Sequence, residues 1–513
     1  MRIKSTGFSI AKRGWASACA GLLAAALVVA PKARGQVVEP EDGFVERSGN
    51  KLTLAGKPYR FSGPNIEWLG LEGYGPHDPM GPRYADRFEV DDAFATAAEM
   101  GARVVRSQTM GDTIGCPLCI EPEEGSFSEA GFQSTDYALV AARKQGMKVI
   151  VTLIGDCAAC SFGGIGQYLA WEKKSGLFDF FTDPRLITAF ERHIDAVLNH
   201  KNALTGVRYK DDPTILAWEN CNMCGIVATL MGATNAYPSI AAWVETIGKH
   251  VKASDPRHLY LDTSGIFRAF PGVLDNPSTD AVALEYYPHW DILFGPALHT
   301  TAASFSSDAA MVTAHGKVYI VNEFGWDRTD WKTPEDLQQV LDTLAGDANI
   351  SGDGFWALQA HLPNFGFQPI PADTRDQKYA ERWESGEWWA LYYPGLKTLV
   401  NSAEDMADRT QRLRAHAYAM AGQPVPKHKV PPAPVITLGG VAGLLGWRGS
   451  AGAVRYSIER MDPGASDWKT VCDRCATDSD DPWIDPHPLL FGARYRVTAW
   501  NADGVASLPS APR

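Results

Sequence analysis

Eight short apolar runs, rich in β-branched and aromatic residues, alternate with longer helical patterns between residue 44 and about residue 420. Buried parallel strands separated by helices are typical of α/β folds, and eight strands are the number that closes a (β/α)8 TIM barrel. In such barrels the chemistry lies at the carboxyl ends of the strands. The predicted strands are Tyr59–Gly63, Val104–Ser107, Lys148–Leu153, Ile215–Glu219, His258–Leu261, Ala281–Tyr286, Val318–Val321 and Gly354–Leu358.

Amphipathic segments separate these runs and present charged residues on one face, as helices that cover a barrel do. The predicted helices are Asp91–Met100, Ser134–Gln145, Pro184–Leu198, Ile240–Ala253 and Pro334–Leu344. We therefore predict a barrel domain over residues 36–420.

The pattern changes after residue 420. Five prolines between residues 421 and 434 interrupt any hydrophobic period, which predicts a semi-rigid linker. Residues 435–513 then alternate apolar and polar positions, and this pattern predicts a small all-β sandwich of about 80 residues. Its predicted strands are Val435–Leu438, Val454–Arg460, Trp468–Val471 and Tyr495–Trp500.

The first 35 residues have the composition of an export signal. Basic residues at positions 2, 4, 12 and 13 precede an apolar run, Trp15–Ala30, and small residues at 33–35 offer a cleavage site. The apolar run is about 16 residues long and ends at Pro31, short of the roughly 20 that span a bilayer. Cys19 lies inside the run, which argues against a lipid anchor. We expect a secreted or periplasmic protein without a membrane anchor after cleavage.

The eight remaining cysteines form four C-x-x-C pairs. Local disulfides are the first interpretation, because an oxidising compartment favours them. A zinc site built from two neighbouring pairs is a second interpretation, and a thioredoxin-like redox role is a third. No cofactor is predicted otherwise. The pairs are Cys116 with Cys119, Cys157 with Cys160, Cys221 with Cys224, and Cys472 with Cys475.

Charge and aromatic content limit the classes of molecule that the protein is expected to bind. The net charge of -12 argues against nucleic acid, whereas 16 Trp residues supply flat faces on which sugar rings stack. A large apolar core would also explain the aromatic content. We expect a monomer that acts on a polysaccharide or oligosaccharide.

Glu323 is the residue on which a functional interpretation rests. It follows the apolar run Val318–Val321 and precedes Phe324 and Gly325, so it ends a predicted buried strand. Burying an unpaired carboxylate costs several kcal/mol, so a Glu that ends a buried strand is expected to be either paired or functional. Glycosidic bonds are commonly cleaved by two carboxylates, about 5 to 5.5 Å apart in retaining enzymes, which places them on different strand ends.

Residues 44–420 resemble glycoside hydrolase family 5, and most closely its secreted endo-β-1,4-mannanases. The resemblance implies that Glu323 is the nucleophile, supported electrostatically by Arg106 and hydrogen-bonded by Tyr287. It also implies that Asn222 contacts the sugar and that Trp356 is the platform beneath it. The matching segments are Phe44–Arg47 with Gly56–Pro58, Arg103–Arg106, Phe181–Pro184, Thr205–Glu219, Asn322–Gly325 and Gly354–Trp356. The C-terminal segment resembles a fibronectin type III module through Trp447 and Tyr495–Asn501, and such a module is usually a spacer.

The chain departs from the family at its acid. The family's fourth strand ends in Trp-Glu-x-x-Asn-Glu-Pro, where the second Glu is the general acid and base; here Met223 stands at that position. A thioether cannot donate a proton, and losing acid catalysis costs about 10²- to 10⁴-fold in rate. Glu219 lies about 13 Å deeper along the strand, out of reach of the same bond. Glu285 stands where the family has a His on its sixth strand. Because Glu285 lies two residues before Tyr287, we expect both side chains to point to the same side of the strand. Glu285 is therefore our candidate for an acid and base at a new position.

Two functional hypotheses follow from this departure. In the first, the chain is a secreted glycoside hydrolase of β-linked polysaccharide, mannan first, that uses Glu323 and Glu285. In the second, it is a catalytically impaired carbohydrate-binding pseudoenzyme. A metal-assisted or inverting hydrolysis is a distant third hypothesis.

Overall fold

The computed structural model describes residues 43–73, 81–155, 163–176, 178–288, 301–326, 331–364, 366, 390–396, 401–439, 443–478, 482–488 and 492–513. The expected export signal lies outside these residues, and so does the pair formed by Cys157 and Cys160.

Eight parallel strands form the central sheet. Three short antiparallel strands precede them: β1 Val45–Ser48, β2 Lys51–Leu54 and β3 Lys57–Pro58. The central strands are β4 Phe61–Pro64, β5 Val104–Ser107, β6 Lys148–Thr152, β7 Ile215–Glu219, β8 Leu259–Asp262, β9 Ala281–Tyr286, β10 Val318–Phe324 and β11 Ile350–Phe355. Their order in the sheet is β4-β11-β10-β9-β8-β7-β6-β5.

The first and last strands of that order meet and close the barrel. Asn65, just after β4, forms a parallel bridge with Arg106 of β5. The backbone N–H of Ile66 donates to the carbonyl of Arg106 at 2.9 Å, and that of Arg103 donates to Ser62 at 3.2 Å. The predicted (β/α)8 barrel architecture is therefore confirmed.

Gly63 makes this closure possible. A Cβ atom at Gly63 would lie 1.8 Å from the carbonyl oxygen of Val104, closer than any real contact. Because the obstructing oxygen belongs to the backbone, a change of side-chain rotamer cannot move it away. A glycine in a strand commonly marks such a close backbone approach.

Two apolar layers hold the barrel together. Inside it, alternate strand residues such as Ile150, Ala283 and Ile320 join side chains of β1 and β2 in one cluster. Outside it, the other set of strand residues packs against the helices in a much larger cluster. The alternation with a period of two is what separates the layers.

Ten α-helices are found in the described parts of the chain. All five predicted helices are confirmed, with ends shifted by a few residues. Pro184–Asn199, for example, begins where the side chain of Asp183 accepts a hydrogen bond from the backbone N–H of Arg185. The helices are α1 Arg87–Glu99, α2 Gln133–Lys144, α3 Gly164–Trp171, α4 Asp179–Thr182, α5 Pro184–Asn199, α6 Ile226–Leu230, α7 Tyr237–Ser254, α8 Ala302–Ala314, α9 Pro334–Gly346 and α10 Ala403–Met420.

The bounds predicted for the eighth barrel strand were wrong. The strand spans Ile350–Phe355, so it begins four residues and ends three residues earlier than predicted, and Trp356 follows its end. Its Ser-Gly-Asp-Gly sequence is typical of a turn, but burial overrides that preference. Asp353 is buried and accepts a hydrogen bond from Nε2 of His416 at 2.8 Å, and Gly352 leaves room for the ring of Phe61.

Residues 435–513 contain two three-stranded antiparallel sheets, β12-β13-β16 and β15-β14-β17. All four predicted strands are present, and β13 and β16 were not predicted. Side chains of both sheets, including Ile436, Trp447, Tyr456 and Val497, join one buried cluster. The strands are β12 Val435–Gly439, β13 Leu444–Arg448, β14 Arg455–Met461, β15 Lys469–Ala476, β16 Trp483–Ile484 and β17 Arg494–Trp500.

The barrel and these sheets lie in one compact unit, Glu39–Arg513. Within the proline-rich segment, Nδ1 of His428 lies 2.8 Å from Oε1 of Glu99 at the end of α1, and the N–H of Lys429 donates to the same carboxylate at 3.0 Å. No helix among the described residues is long and apolar enough to cross a membrane.

Candidate active site

Arg106 is the centre of a buried polar network at the carboxyl end of the barrel. Its Nε and Nη2 donate to both carboxylate oxygens of Glu219, at 2.7 and 2.6 Å, in the bidentate geometry that guanidinium favours. Nη2 also donates to Oδ1 of Asn222 at 2.7 Å, and Nη1 donates to Oδ1 of Asn65 at 2.9 Å. Nη1 makes a further ion pair with Oε1 of Glu323. One cation therefore connects the ends of four strands.

Glu323 has donors on both of its carboxylate oxygens. Oε1 accepts from Arg106 and from Nε2 of Gln108 at 3.1 Å, and Oε2 accepts from the hydroxyl of Tyr287 at 2.7 Å. The side chain is almost fully buried, with 4% of its surface exposed. The structure thus brings together three of the residues that the family resemblance singled out.

Two opposing effects set the protonation of Glu323. Burial raises the pKa of its carboxyl group, whereas Arg106 and the Tyr287 hydroxyl lower it, and the net direction is upward. The neighbouring charge of Glu219 contributes in the same direction as burial. Arg106 shows the reverse balance: burial lowers its pKa, but the carboxylates of Glu219, Glu323 and Glu285 outweigh burial and raise it.

Glu285 and Glu323 are register partners on the adjacent strands β9 and β10. A bulge follows Val321, so that Glu323 rather than Asn322 lies opposite Glu285. Two residues before Glu285, Ala283 packs inside the barrel, and alternation directs Glu285 to the same side. Its side chain is 2% exposed. The bulge also permits Asn322 to reach Oε1 of Glu219, at 3.3 Å, although it adjoins Glu323.

Glu219 is the buried carboxylate that holds Arg106 in place. Its side chain has no exposed surface, and it accepts hydrogen bonds from the hydroxyls of Thr152 at 2.7 Å and Thr263 at 2.8 Å, besides those from Arg106. With each oxygen occupied by neutral or cationic donors, Glu219 orients Arg106.

Asn222 and Met223 lie in the loop after β7. The N–H of Asn222 donates to the carbonyl of Ile154 at 2.7 Å, which fixes the loop against the end of β6. Met223 has a φ of 52°, in the left-handed region that residues with a Cβ rarely adopt, and its side chain is half-buried. A disulfide between Cys221 and Cys224 encloses both residues. The chain therefore holds an unusual backbone conformation at the position of the family's acid.

Trp356 immediately follows β11, and its N–H donates to the carbonyl of Phe324 at 3.2 Å. This bond places it beside the strand end that carries Glu323. Its side chain is 9% exposed.

Sequence reasoning did not identify Gln108 or Asn65 as members of the site. Gln108 lies two residues after Arg106 and therefore projects to the same side of the chain, which is the one signal that would have indicated it. The amide of Asn65 bridges two strands, since Nδ2 donates to the carbonyl of Asn322 at 3.1 Å while Oδ1 accepts from Arg106.

Three of the four cysteine pairs are disulfides: Cys116–Cys119, Cys221–Cys224 and Cys472–Cys475. Their sulfurs are therefore not free thiolates for zinc, contrary to the second interpretation of the pairs. In the parts of the chain that the structure describes, no group of three or more His, Cys, Asp or Glu side chains is arranged to hold a metal ion.

Cys157 and Cys160 both lie in the segment 156–162, outside the described residues. The disulfide expected between Cys157 and Cys160 therefore stays a prediction, in contrast to the three bonds that the structure records.

Residues 42–267 match the family model described as GH family 5 beta-mannosidase-like. Mannan endo-1,4-beta-mannosidase 7 of Arabidopsis thaliana is 36% identical over 225 residues, which are 43% of this chain and 48% of that protein. The chain thus spans about half the length of the curated relatives it matches.

Solved structures share the fold. The endo-1,4-beta-mannanase of Rhizomucor miehei superposes with a TM-score of 0.55 at 22% identity, covering 74% of this chain and 100% of that one. The endo-beta-1,4-mannanase of Thermotoga petrophila does so with a TM-score of 0.54 at 18% identity, covering 89% and 98%. Over residues 42–267, on a barrel of this architecture, the chain is therefore similar to the glycoside hydrolase family 5 β-mannosidase-like proteins.

Proposed function

We propose that this protein is a retaining glycoside hydrolase of β-linked polysaccharide. Its substrate is β-1,4-mannan, which it cleaves at internal bonds, and its nucleophile is Glu323. The observation that carries the proposal is the anchoring of the Glu323 carboxylate by Arg106, Gln108 and Tyr287 at the carboxyl ends of the barrel strands. Fixed donors hold a nucleophile in one geometry and leave its attack direction defined. The names of the relatives support mannan as the polymer.

Glu285 is the acid and base of this proposal. It is the register partner of Glu323 on the adjacent strand, where the two backbones lie about 4.8 Å apart, so the two carboxyl groups can approach the 5 to 5.5 Å separation that retaining enzymes use. It also lies close enough to Arg106 to affect its pKa. In the first step Glu323 attacks the anomeric carbon while Glu285 protonates the leaving oxygen. In the second, Glu285 takes a proton from the water that releases the sugar.

The remaining sugar contacts come from residues around this pair. Asn222 is proposed to bind the hydroxyl next to the reacting carbon, and Trp356 is proposed to stack under the ring. We also propose that the basic and apolar pattern of residues 1–35 directs export, and that the two C-terminal sheets are a fibronectin type III-like sandwich.

A carbohydrate-binding pseudoenzyme is the second candidate. Met223 favours it, because a thioether cannot perform the acid step of the family. Such a protein would bind polysaccharide through the same aromatic and polar surface and release no product.

Separate substitutions of the two carboxylates test the proposal. We expect Glu323→Gln to lower turnover of mannan by on the order of 10⁴-fold or more. Glu285→Gln should lower it by about 10²- to 10⁴-fold. With an aryl glycoside, whose leaving group needs no protonation, the Glu285 variant should keep most of its bond-cleavage rate, whereas the Glu323 variant should not.

Glu245→Gln is the matched control, because Glu245 is partly exposed on α7 and pairs with Lys249. Unchanged mannan turnover in the Glu285 variant would exclude Glu285 as the acid. If the wild-type protein binds mannan but releases no sugar, the pseudoenzyme is the correct function.

A further inference from the structure

The segment 357–364, called here the platform segment, connects Trp356 to the C-terminal sheets. At its start, the N–H of Leu358 donates to the carbonyl of Asn65 at 3.0 Å, so it leaves the barrel beside the active-site network. The N–H of Gln359 donates to Leu391 at 3.0 Å. The segment thus begins within the catalytic end of the barrel.

His361, in the middle of this segment, bridges the barrel to the C-terminal sheets. Its Nδ1 lies 2.8 Å from Oδ2 of Asp92 on α1, and its backbone N–H donates to the same oxygen at 2.9 Å. Its Nε2 lies 3.2 Å from Oδ2 of Asp478, just beyond β15. All three side chains are buried, and His361 has no exposed surface.

The ring is also enclosed by backbone. A Cβ atom on Gly449, after β13, would lie 2.1 Å from the ring carbon Cδ2 of His361, so the ring lies directly against the chain of the C-terminal sheets. A larger residue than glycine at position 449 would displace it.

Two more contacts fix the end of the platform segment to the same sheets. Nε of Arg448 on β13 donates to the carbonyl of Pro363 at 2.6 Å, and the hydroxyl of Thr437 on β12 donates to the carbonyl of Asn364. The guanidinium of Arg448 also stacks over the ring of Phe88 on α1, 4.3 Å from its centroid. The C-terminal sheets therefore contact both the segment and the barrel helix behind it.

We propose that the C-terminal sheets contribute to the sugar-binding site. They hold the platform segment through His361 and thereby position Trp356. His361 is a positioning residue: it lies five residues from Trp356 and acts through the backbone between them. The inference rests on the proposed function in one respect, namely that Trp356 is the sugar platform.

The chemistry of the bridge suits a positional role. Burial opposes a charge on His361, but Asp92 and Asp478 outweigh burial and raise its pKa to about 10, so the imidazolium pairs with two carboxylates at neutral pH. Charged donors and acceptors fixed on three elements define one geometry. Removing the central cation would leave two buried carboxylates facing each other and would force the segment to move.

Hydrogen exchange and kinetics on the full-length protein test the proposal. In His361→Gln we expect amides of the platform segment to exchange at least about tenfold faster, while those of β10 keep the wild-type rate. KM for mannan should rise several-fold with a smaller change in kcat, because the platform is displaced while Glu323 stays in place. Asp478→Asn provides a second variant that removes only the partner contributed by the sheets.

Arg460→Gln is the matched control. It breaks an ion pair inside the C-terminal sheets, between Nη1 of Arg460 and Asp485 at 2.7 Å, without touching the platform segment. Unchanged exchange of the segment in both test variants would overturn the proposal, as would equal acceleration in the control. If the wild-type protein neither binds nor cleaves mannan, the proposed function fails, and the exchange comparison still decides whether His361 holds the segment.

Discussion

At the scale of single residues, the candidate site depends on how one carboxylate is kept reactive while buried. Burial raises the pKa of the Glu323 carboxyl group, and its donors act against that effect. Arg106 supplies charge, whereas Gln108 and Tyr287 supply neutral hydrogen bonds. Gln108 is the least expected of these donors, and its role is open to direct measurement.

Replacing Gln108 by Glu should raise the pKa of Glu323. The new carboxylate would take the place of an amide that lies 3.1 Å from Oε1 of Glu323, and like charges disfavour the ionised form. Because Glu323 must be ionised to act as the proposed nucleophile, the acidic limb of the kcat profile should move to higher pH. The measurement is kcat on mannan against pH.

Gln108→Leu separates the charge from the lost hydrogen bond. A hydrogen bond to a charged group is worth about 1.5–3 kcal/mol, so we expect kcat to fall by about 10- to 100-fold with a smaller movement of the limb. An acidic limb that stays at its wild-type pH in the Glu variant would contradict the assignment of Gln108.

At the scale of elements, the site depends on two local irregularities in a regular sheet. The bulge in β10 aligns Glu323 with Glu285, and without it Asn322 would take that register position. The glycine in β4 permits the closure that brings Asn65 to Arg106. Each irregularity lies in a strand that lines the candidate site, so the geometry of that site depends on backbone features as well as on side chains.

Gly63→Ala should destabilise the protein by about 3 kcal/mol, the upper range for forcing atoms into a packed interior. The added methyl would collide with the carbonyl of Val104, so β4 and β5 would have to separate. The check is the free energy of unfolding in denaturant. Gly346→Ala at the end of α9 is the control, because a Cβ there has no neighbour within 4 Å. Equal stability of the two variants would exclude steric closure at Gly63.

At the scale of the whole molecule, the barrel and the C-terminal sheets share buried charge. The bridge through His361 crosses between them, and His428 of the proline-rich segment contacts Glu99 at the end of α1. Burying ionised groups is costly unless they are paired, so the barrel side and the sheet side of the His361 bridge depend on each other. The C-terminal sheets therefore contribute to the stability of the barrel.

This coupling predicts a pH dependence of stability. The folded-state pKa of His361, about 10, is above the ordinary 6.5, so its contribution is complete below pH 6.5 and disappears as the pH rises through about 10. Asp92 and Asp478 face the ring, and Tyr456 beside Asp478 stays neutral because burial raises its pKa well above the usual range. The difference in melting temperature between wild type and His361→Gln should be largest below pH 6.5, where it corresponds to about 3–5 kcal/mol. It should shrink steadily towards pH 10. A difference that does not vary with pH would mean that His361 is held as a neutral ring.

The amino-acid sequence alone predicts the order and number of the barrel strands, five of the helices and the position of Glu323 at a strand end. These features follow from local periodicity, which the chain carries residue by residue. It did not reveal the bulge, the closure at Gly63, the Gln108 contact or the bridge through His361. The bounds of the eighth strand were also wrong, because Ser351–Gly354 has turn preference and only the burial of Asp353 against His416 makes it a strand. Such features depend on which distant segments meet, and only the folded chain decides that.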